Sequence, residues 1–189
     1  MGILTVEQIV SVDGYAAEPD GGIDFMDAAD VGNANDDDQL AFLRDVDAIL
    51  LGANTYRMFA EYWPTADPEV EVVAEPINRL PKFVFSNTLT EAPWGDGSIE
   101  ILSGDARDAV TDLKKRCDRI VVWGSLALTD ALFELDLVDE LRLRVVPVLI
   151  GKGRSFTPAA LSQRRLELVR VVSHPSGHIG ITYRATSPK

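Results

Sequence analysis

The sequence of 189 residues contains a single cysteine, no long apolar run and few basic residues. Cys117 alone cannot form an intramolecular disulfide, so the chain does not depend on an oxidising compartment. No apolar run approaches ~18 residues, and the N-terminus lacks the basic and apolar regions of a signal peptide. We therefore expect a cytoplasmic protein without a membrane span.

The charge balance restricts the class of partner. Lys and Arg together number 18 against 30 Asp and Glu, which gives a formal net charge of −12 at pH 7. Nucleic acids and anionic membranes are bound by clustered basic residues, so neither is an expected partner. The hydrophobic share of 46% is enough for a substantial core, and the length predicts one domain over residues 1–189.

Strands and helices alternate through the first two-thirds of the chain, which is typical of an α/β fold. A long loop is predicted over Ser11–Asn35, where Gly, Asp and Asn are frequent. The predicted strands are Ile3–Val10, Asp47–Leu51, Lys82–Phe85, Ile99–Leu102 and Ile120–Trp123. The predicted helices are Asp36–Arg44, Asn54–Tyr62, Val70–Arg79, Ala106–Arg116 and Leu126–Leu135.

The last third of the chain changes character. Asp139–Ile150, Arg164–Ser173 and His178–Ala185 alternate apolar and polar residues, as antiparallel strands do. We interpret them as a β meander that completes a mixed sheet with helices on both faces.

Three strand ends are candidates for ligand binding, because ligands of such sheets lie at the carboxyl ends of the parallel strands. These ends are Gly52, Ser86-Asn87 and Gly124-Ser125. At a helix start the unpaired N–H groups favour an anion, and glycine lets the backbone approach it. Plain chain reversal is the alternative for each turn. Neither the G-x-G-x-x-G fingerprint nor a P-loop is present.

Five segments together resemble the dihydrofolate-reductase-like superfamily: SVDGYAA, ILLGANTYRMFAEYWP, FVFSNTL, VVWGSLALTDALF and LVDELRLRVVPVLIGKG. Within it, the chain is most similar to the C-terminal reductase domain of the bifunctional deaminase-reductase of riboflavin biosynthesis, which also has stand-alone members. The resemblance implies a three-layer α/β/α sandwich whose mostly parallel sheet carries antiparallel C-terminal strands. It also implies a homodimer that transfers a hydride from NADPH or NADH to a small heterocycle such as a pteridine or pyrimidine.

The resemblance assigns the following roles. The pyrophosphate turn would be Gly124, Ser125, Leu126 and Ala127. The other cofactor-binding residues would be Gly52, Thr55, Ser86, Asn87, Ile150 and Gly151. The substrate-binding residues would be Ser11, Tyr56, Phe59 and Trp123.

Two carboxylates are candidate catalytic groups, Asp13 in the first loop and Asp38 at the start of the first long helix. Asp38 is the nearest match to the acidic residue that faces the pterin in folate reductases. The alternatives are a turn-forming Asp-Gly pair for Asp13 and helix capping for Asp38. Because the nicotinamide supplies the hydride, the proton donor can also be water.

Three positions depart from the family pattern. Ala53 and Asn87 stand where NADP-specific relatives carry arginines, so we expect weak discrimination between NADPH and NADH. Trp123 stands where riboflavin-pathway reductases carry an acid. An activity like that of 5-amino-6-(5-phosphoribosylamino)uracil reductase is implied by the resemblance, but Trp123 makes that compound itself an expected poor substrate.

Two rival functions remain open, a non-catalytic nucleotide-binding protein and a dimeric scaffold with a vestigial pocket. A metal site is not expected. His174 and His178 lie close in sequence, but no Cys or acidic residue nearby completes a ligand set.

Overall fold

The computed structural model describes residues 1–28 and 36–186. In that part of the chain the strands are β1 (Ile3–Ser11), β2 (Tyr15–Ala17), β3 (Ala48–Gly52), β4 (Lys82–Phe85), β5 (Pro93–Trp94), β6 (Gly97–Ser98), β7 (Glu100–Leu102), β8 (Arg119–Trp123), β9 (Glu140–Val146), β10 (Arg154–Ser155), β11 (Leu166–Ser173) and β12 (Ile179–Ala185). The helices are α1 (Phe25–Ala28), α2 (Asp36–Arg44), α3 (Ala53–Tyr62), α4 (Ala74–Arg79), α5 (Ala106–Arg116) and α6 (Leu126–Glu134).

The main sheet has eight strands in the order β11-β12-β9-β1-β8-β3-β4-β7. In the part of the sheet that runs from β9 through β1, β8, β3 and β4 to β7, all neighbouring strands are parallel. By contrast, β12 pairs antiparallel with β9 and with β11. Glu7 of β1 is opposite Trp123 of β8 in the register. The predicted mostly parallel sheet with antiparallel C-terminal strands is therefore confirmed.

Helices cover both faces of the parallel part of the sheet. The neighbouring residues Val121 and Val122 point to opposite faces, and both are fully buried. Val122 packs in a cluster with Val110 of α5 and Leu132 of α6. Val121 belongs to the opposite cluster, to which α2, α3 and α4 contribute Leu43, Tyr56 and Ile77. The α/β/α layering follows from this double burial, since each face needs its own apolar cover.

Several predicted elements agree with the structure to the residue, namely α2, β4 and α5. The Asp105 carboxylate accepts hydrogen bonds from the N–H groups of Arg107 and Asp108, which begins α5 where the sequence indicates. The helix predicted over Val70–Arg79 is shorter and covers only Ala74–Arg79. Pro76 is compatible only with a first helical turn, so the helix begins two residues before it.

Two further predictions are wrong. Ser11–Asn35 is not wholly loop, because β2 and α1 form within it; its residues 29–35 lie outside the described part of the chain. The C-terminal segments are not a meander: β9 is parallel to β1, and β12 lies between β9 and β11. Alternation along a strand indicates which side chains are buried but not which strand is its neighbour.

Because β1, β8, β3 and β4 are parallel, their ends at Ser11, Trp123, Gly52 and Phe85 lie along one edge of the sheet. The chain enters α6 just after β8 and α3 directly after β3. Among residues 1–28 and 36–186, no helix is long and apolar enough to cross a membrane.

Candidate functional site

A cleft of about 1170 Å³ opens at the carboxyl edge of the parallel strands. Small-molecule sites usually occupy ~300–1,000 Å³, so this cleft has room for a large ligand or for two ligands side by side. The predicted site residues that line it are Gly52, Thr55, Phe59, Ser86, Trp123, Gly124, Ser125, Leu126 and Ala127. Ser11, Asp13, Asp38, Tyr56, Asn87, Ile150 and Gly151 do not line it.

The turn after β8 is an unusual backbone segment. Gly124 has φ of 53°, and Ser125 follows with φ of 55° and ψ of 47°, so two successive residues are left-handed. A Cβ atom at Gly124 would lie 2.9 Å from the hydroxyl oxygen of Thr55. Glycine is thus required at position 124 both by its backbone conformation and by the close approach of α3.

Side-chain hydrogen bonds join the turn after β8 to the turn after β3. The backbone N–H of Ser125 donates to Thr55 Oγ1 at 2.8 Å. Ser125 Oγ accepts from the backbone N–H of Gly52 at 2.6 Å and donates to the carbonyl of Trp123 at 2.9 Å. The two turns therefore form one unit, and Ser125 Oγ is engaged within it rather than presented to a ligand.

The N-terminal turn of α6 faces the cleft. Leu126 and Ala127 line it, and Ala127 is exposed. The side chain of Ser125, the residue before the helix, makes no capping hydrogen bond to it. Gln8 Nε2 on β1 donates to the carbonyl of Gly124 at 2.6 Å and so stabilises the turn. The N–H groups and the positive end of the helix dipole favour an anion here.

The turn after β4 has a different arrangement. Ser86 Oγ accepts from the backbone N–H groups of Thr88 and Leu89 at 3.2 and 3.1 Å. Asn87 Oδ1 accepts from the N–H of Gly104 at 2.6 Å, which ties the ends of β4 and β7 together. The amide of Asn87 thus serves the loop, whereas Ser86 lies in the cleft wall.

Asp13, Ser11, Ile150 and Gly151 meet one another outside the cleft. The Asp13 carboxylate accepts from the N–H groups of Ile150 and Gly151 at 3.3 and 2.7 Å. A hydrogen bond from Ser11 and those from the two backbone groups lower the pKa of Asp13 below its usual value. Asp13 is therefore a deprotonated acceptor at neutral pH, and it joins the loop after β1 to the loop after β9.

Asp38 lies in an ion-pair cluster beneath the cleft. Arg142 donates to Asp38 Oδ2 at 2.5 Å, and Arg170 lies 2.7 Å from Oδ1. Burial opposes ionisation of Asp38, but the two guanidinium groups outweigh it and hold the pKa below the usual value. Asp38 therefore stays charged at neutral pH, and it does not line the cleft.

Glu7 is the most deeply buried of the acidic residues that line the cleft. It is 4% exposed and lines the cleft. Its Oε2 accepts from Trp123 Nε1 at 2.6 Å and from Gln39 Nε2 at 3.1 Å, while Oε1 accepts from Arg142 at 2.7 Å. A buried carboxylate held by three donors is a candidate binding group that the sequence patterns did not indicate.

An aromatic wall stands beside this carboxylate. The ring centroid of Phe59 is 6.0 Å from that of Trp123 and 5.9 Å from that of Trp63, and all three residues line the cleft. Tyr56 instead points away, and its hydroxyl donates to the carbonyl of Pro93 at 2.8 Å. Flat rings can stack on such a wall.

The sequence profile of the RibD C-terminal domain matches residues 3–179. The chain belongs to this family. Uncharacterized protein YyaP of Bacillus subtilis (strain 168) is 28% identical over 185 residues, which cover 95% of this chain and 93% of YyaP. The predicted family is thereby confirmed.

Solved structures support the same fold. A protein of Shewanella sp. PV-4 ascribed to riboflavin biosynthesis superposes with a TM-score of 0.79 at 24% identity, covering 97% of this chain and 99% of that one. Dihydrofolate reductase from Enterococcus faecalis, complexed with NADP(H), superposes with a TM-score of 0.63 at 12% identity and covers 98% of both chains. The dihydrofolate-reductase-like architecture is therefore confirmed.

Arg57, Lys152 and Arg154 are the cations that we expect could replace the missing arginines at Ala53 and Asn87 of this RibD C-terminal domain, and of these three only Arg154 lines the cleft. Arg57 donates to Asn54 Oδ1 at 3.1 Å, and neither Arg57 nor Lys152 lines the cleft. Arg154 lines it, but pairs with Asp130 and donates to the carbonyl of Ser155. Within the described residues, no group of three or more His, Cys, Asp or Glu is arranged to hold a metal.

Proposed function

We propose that the protein is an NAD(P)H-dependent reductase of a small nitrogen heterocycle. The observation that carries the proposal is the composition of the cleft at the carboxyl edge of the parallel strands. The N-terminal turn of α6 and the aromatic wall with Glu7 both line it. A dinucleotide pyrophosphate suits the first region and a flat polar ring suits the second.

The residues present fit a dinucleotide. Leu126 and Ala127 offer helix N–H groups, and no acidic side chain belongs to that turn. Ala53 and Ser86 line the neighbouring wall, where the adenosine end would lie. A reduced nicotinamide, when bound, supplies the hydride; the chain binds, orients and shields the reacting groups from water.

The nature of the proton donor follows from the cleft residues. Asp13 and Asp38 lie outside the cleft lining and carry lowered pKa values, so neither holds a proton at neutral pH. We infer that water or the substrate supplies the proton. Glu7 acts as an acceptor that holds the heterocycle.

The test is the oxidation of NADPH and NADH by the purified protein with a panel of pterins, flavins and pyrimidines. We expect at least one compound to accelerate the loss of reduced-nicotinamide absorbance. Boiled protein should show no such acceleration. Saturable dinucleotide binding without oxidation across the panel would favour the non-catalytic nucleotide-binding alternative.

We also propose that the functional unit is a homodimer joined through β11. Leu168, Val169 and Val171 on this edge strand, and Ile179 on β12, are exposed. Exposed apolar residues on an edge strand attract another chain, and natural proteins usually cover or charge such an edge.

A further inference from the structure

Among residues 1–28 and 36–186, three donors reach the Glu7 carboxylate and leave one acceptor position open. An ionised carboxylate has about four lone-pair sites on its two oxygens. Trp123 and Gln39 occupy two of them on Oε2, and Arg142 occupies one on Oε1. The remaining site belongs to Oε1, on a side chain that lines the cleft.

The charge of Glu7 is already balanced within the protein. Among the described residues, the ion pairs here join two acids, Glu7 and Asp38, to two cations, Arg142 and Arg170. A ligand that adds a negative charge would lie next to the Glu7 carboxylate. Both cations among these four groups already pair with an acid. A ligand that offers an N–H group instead completes the carboxylate's hydrogen bonds.

The surroundings of Glu7 favour the same ligand class. Trp123 and Phe59 provide flat apolar surface next to the carboxylate. Four further acids line the cleft, namely Glu18, Asp20, Asp27 and Glu71. Their negative charges make the electrostatic potential in the cleft less favourable for anions. Two cations also line the cleft, Arg144 and Arg154, and Arg154 pairs with Asp130.

We propose that Glu7 is the specificity-determining acceptor of the cleft, and that it binds an N–H edge of a planar amide-type or amidine-type ring and rejects carboxylates. Trp123 is a positioning residue that holds Glu7 Oε2. This inference rests on the proposed function, because it names the substrate class of the same cleft.

Three compounds of nearly equal size and shape test the proposal: benzamidine, benzamide and benzoate. Their dissociation constants are measured by ligand-observed NMR titration at neutral pH. Wild-type protein is expected to bind benzamidine and benzamide at least ~10-fold more tightly than benzoate, the effect of one hydrogen bond to a charged group. Equal or tighter binding of benzoate overturns the proposal.

Substitutions separate Glu7 from the network that holds it. Glu7→Gln is expected to reduce the benzamidine-to-benzoate preference at least ~10-fold, because the amide can donate as well as accept. Asp38→Asn removes an acid bonded to the same Arg142 but outside the cleft lining, and should change the preference less than ~3-fold. Equal effects of the two substitutions overturn the assignment, as does an unchanged preference in Glu7→Gln.

Glu7→Asp provides a second variant that keeps the charge balance of the cluster. Its shorter side chain should weaken benzamidine binding while leaving benzoate rejected, and full wild-type affinity for benzamidine overturns the proposal. NADH and NADPH titrations accompany each variant. Wild-type protein that binds neither dinucleotide contradicts the proposed function. Wild-type protein that binds the dinucleotides but does not prefer benzamidine to benzoate contradicts only the role of Glu7.

Discussion

The hydroxyl oxygen of Thr55 accepts a hydrogen bond from the backbone N–H of Ser125 at 2.8 Å, and so joins α3 to the left-handed turn that begins α6. The same oxygen lies 2.9 Å from where a Cβ atom at Gly124 would be. A larger residue at Gly124 would therefore distort the turn whether or not a phosphate binds there. Tests of phosphate binding need substitutions that leave this contact intact.

Thr55→Val should loosen the turn while preserving the shape of the side chain. The N–H of Ser125 loses its acceptor, which costs about 1–3 kcal/mol when the group is buried. We expect a lower melting temperature and dinucleotide affinity reduced by ~10-fold, measured by calorimetric titration. Thr55→Ser keeps the acceptor and should behave like the wild type; equal losses in both variants would contradict this role of the hydroxyl.

Ala127→Asp tests the first turn of α6 as the phosphate site. An acid in this turn is favourable for the helix itself, worth about 0.3–1 kcal/mol, so folding should not suffer. The same charge repels a pyrophosphate, and we expect dinucleotide affinity to fall at least ~10-fold. Ala127→Asn has similar size without the charge. If both variants bind dinucleotides like the wild type, the pyrophosphate does not lie at this turn.

Ala53→Arg should shift cofactor preference toward NADPH. Charged hydrogen bonds are worth about 1.5–3 kcal/mol each, and the ratio of NADPH to NADH affinity should rise by roughly one to two powers of ten. Ala53→Gln, which is long but uncharged, should change the ratio little. A wild-type protein that already prefers NADPH strongly would mean that another cation holds the 2′-phosphate, and Arg154 would be the first to replace.

His178 should make stability depend on pH. Burial, and then the neighbouring His174, lower the pKa of His178 from 6.5 to about 4. The unfolded chain therefore binds a proton in a range where the folded chain does not, so stability falls as pH drops from about 6.5 to about 4. The loss is on the order of 3 kcal/mol. Denaturant unfolding of His178→Gln should show a flatter profile over that range; a slope equal to that of the wild type would contradict the prediction.

Val171→Lys should weaken the proposed dimer. Val171 is 54% exposed on the edge strand β11, and a buried, unpaired lysine at an interface is costly. Sedimentation should show dimers for the wild type and monomers for the variant. Val70→Lys is the matched control, because Val70 is 63% exposed away from the sheet edge. A monomeric wild type, or dimers that survive Val171→Lys, would exclude β11 as the interface.

Local patterns predicted much of the parallel half of the fold. The predicted bounds of α5 match the structure, in which the Asp105 cap and the basic residues at 114–116 stand at its two ends. The strand ends at Gly52 and Gly124 are visible in the sequence as glycines before helical patterns. The order of β9, β12 and β11 could not be predicted, since it depends on contacts between segments far apart in sequence. Pro76 limits the start of the short helix Ala74–Arg79, and the prediction of Val70–Arg79 placed that start too early.

The candidate site was predicted only in part, because local patterns indicate turns but not contacts between segments far apart in sequence. Turn residues Gly52, Ser86, Gly124 and Ser125 line one cleft, because parallel strands end at one edge. Glu7 was missed, although a Glu-Gln pair inside the apolar strand ILTVEQIVS is a signal of buried polar function. Its partners Gln39 and Arg142 are 32 and 135 residues away, and no local pattern connects them.

The central claim is that the cleft binds a nicotinamide dinucleotide against the turn after β8. Calorimetric titration of wild-type protein with NADPH and with NADH tests it most directly. The account predicts saturable binding of one molecule per chain for both cofactors, with affinities within about tenfold of each other. Absence of saturable binding by either dinucleotide would contradict it.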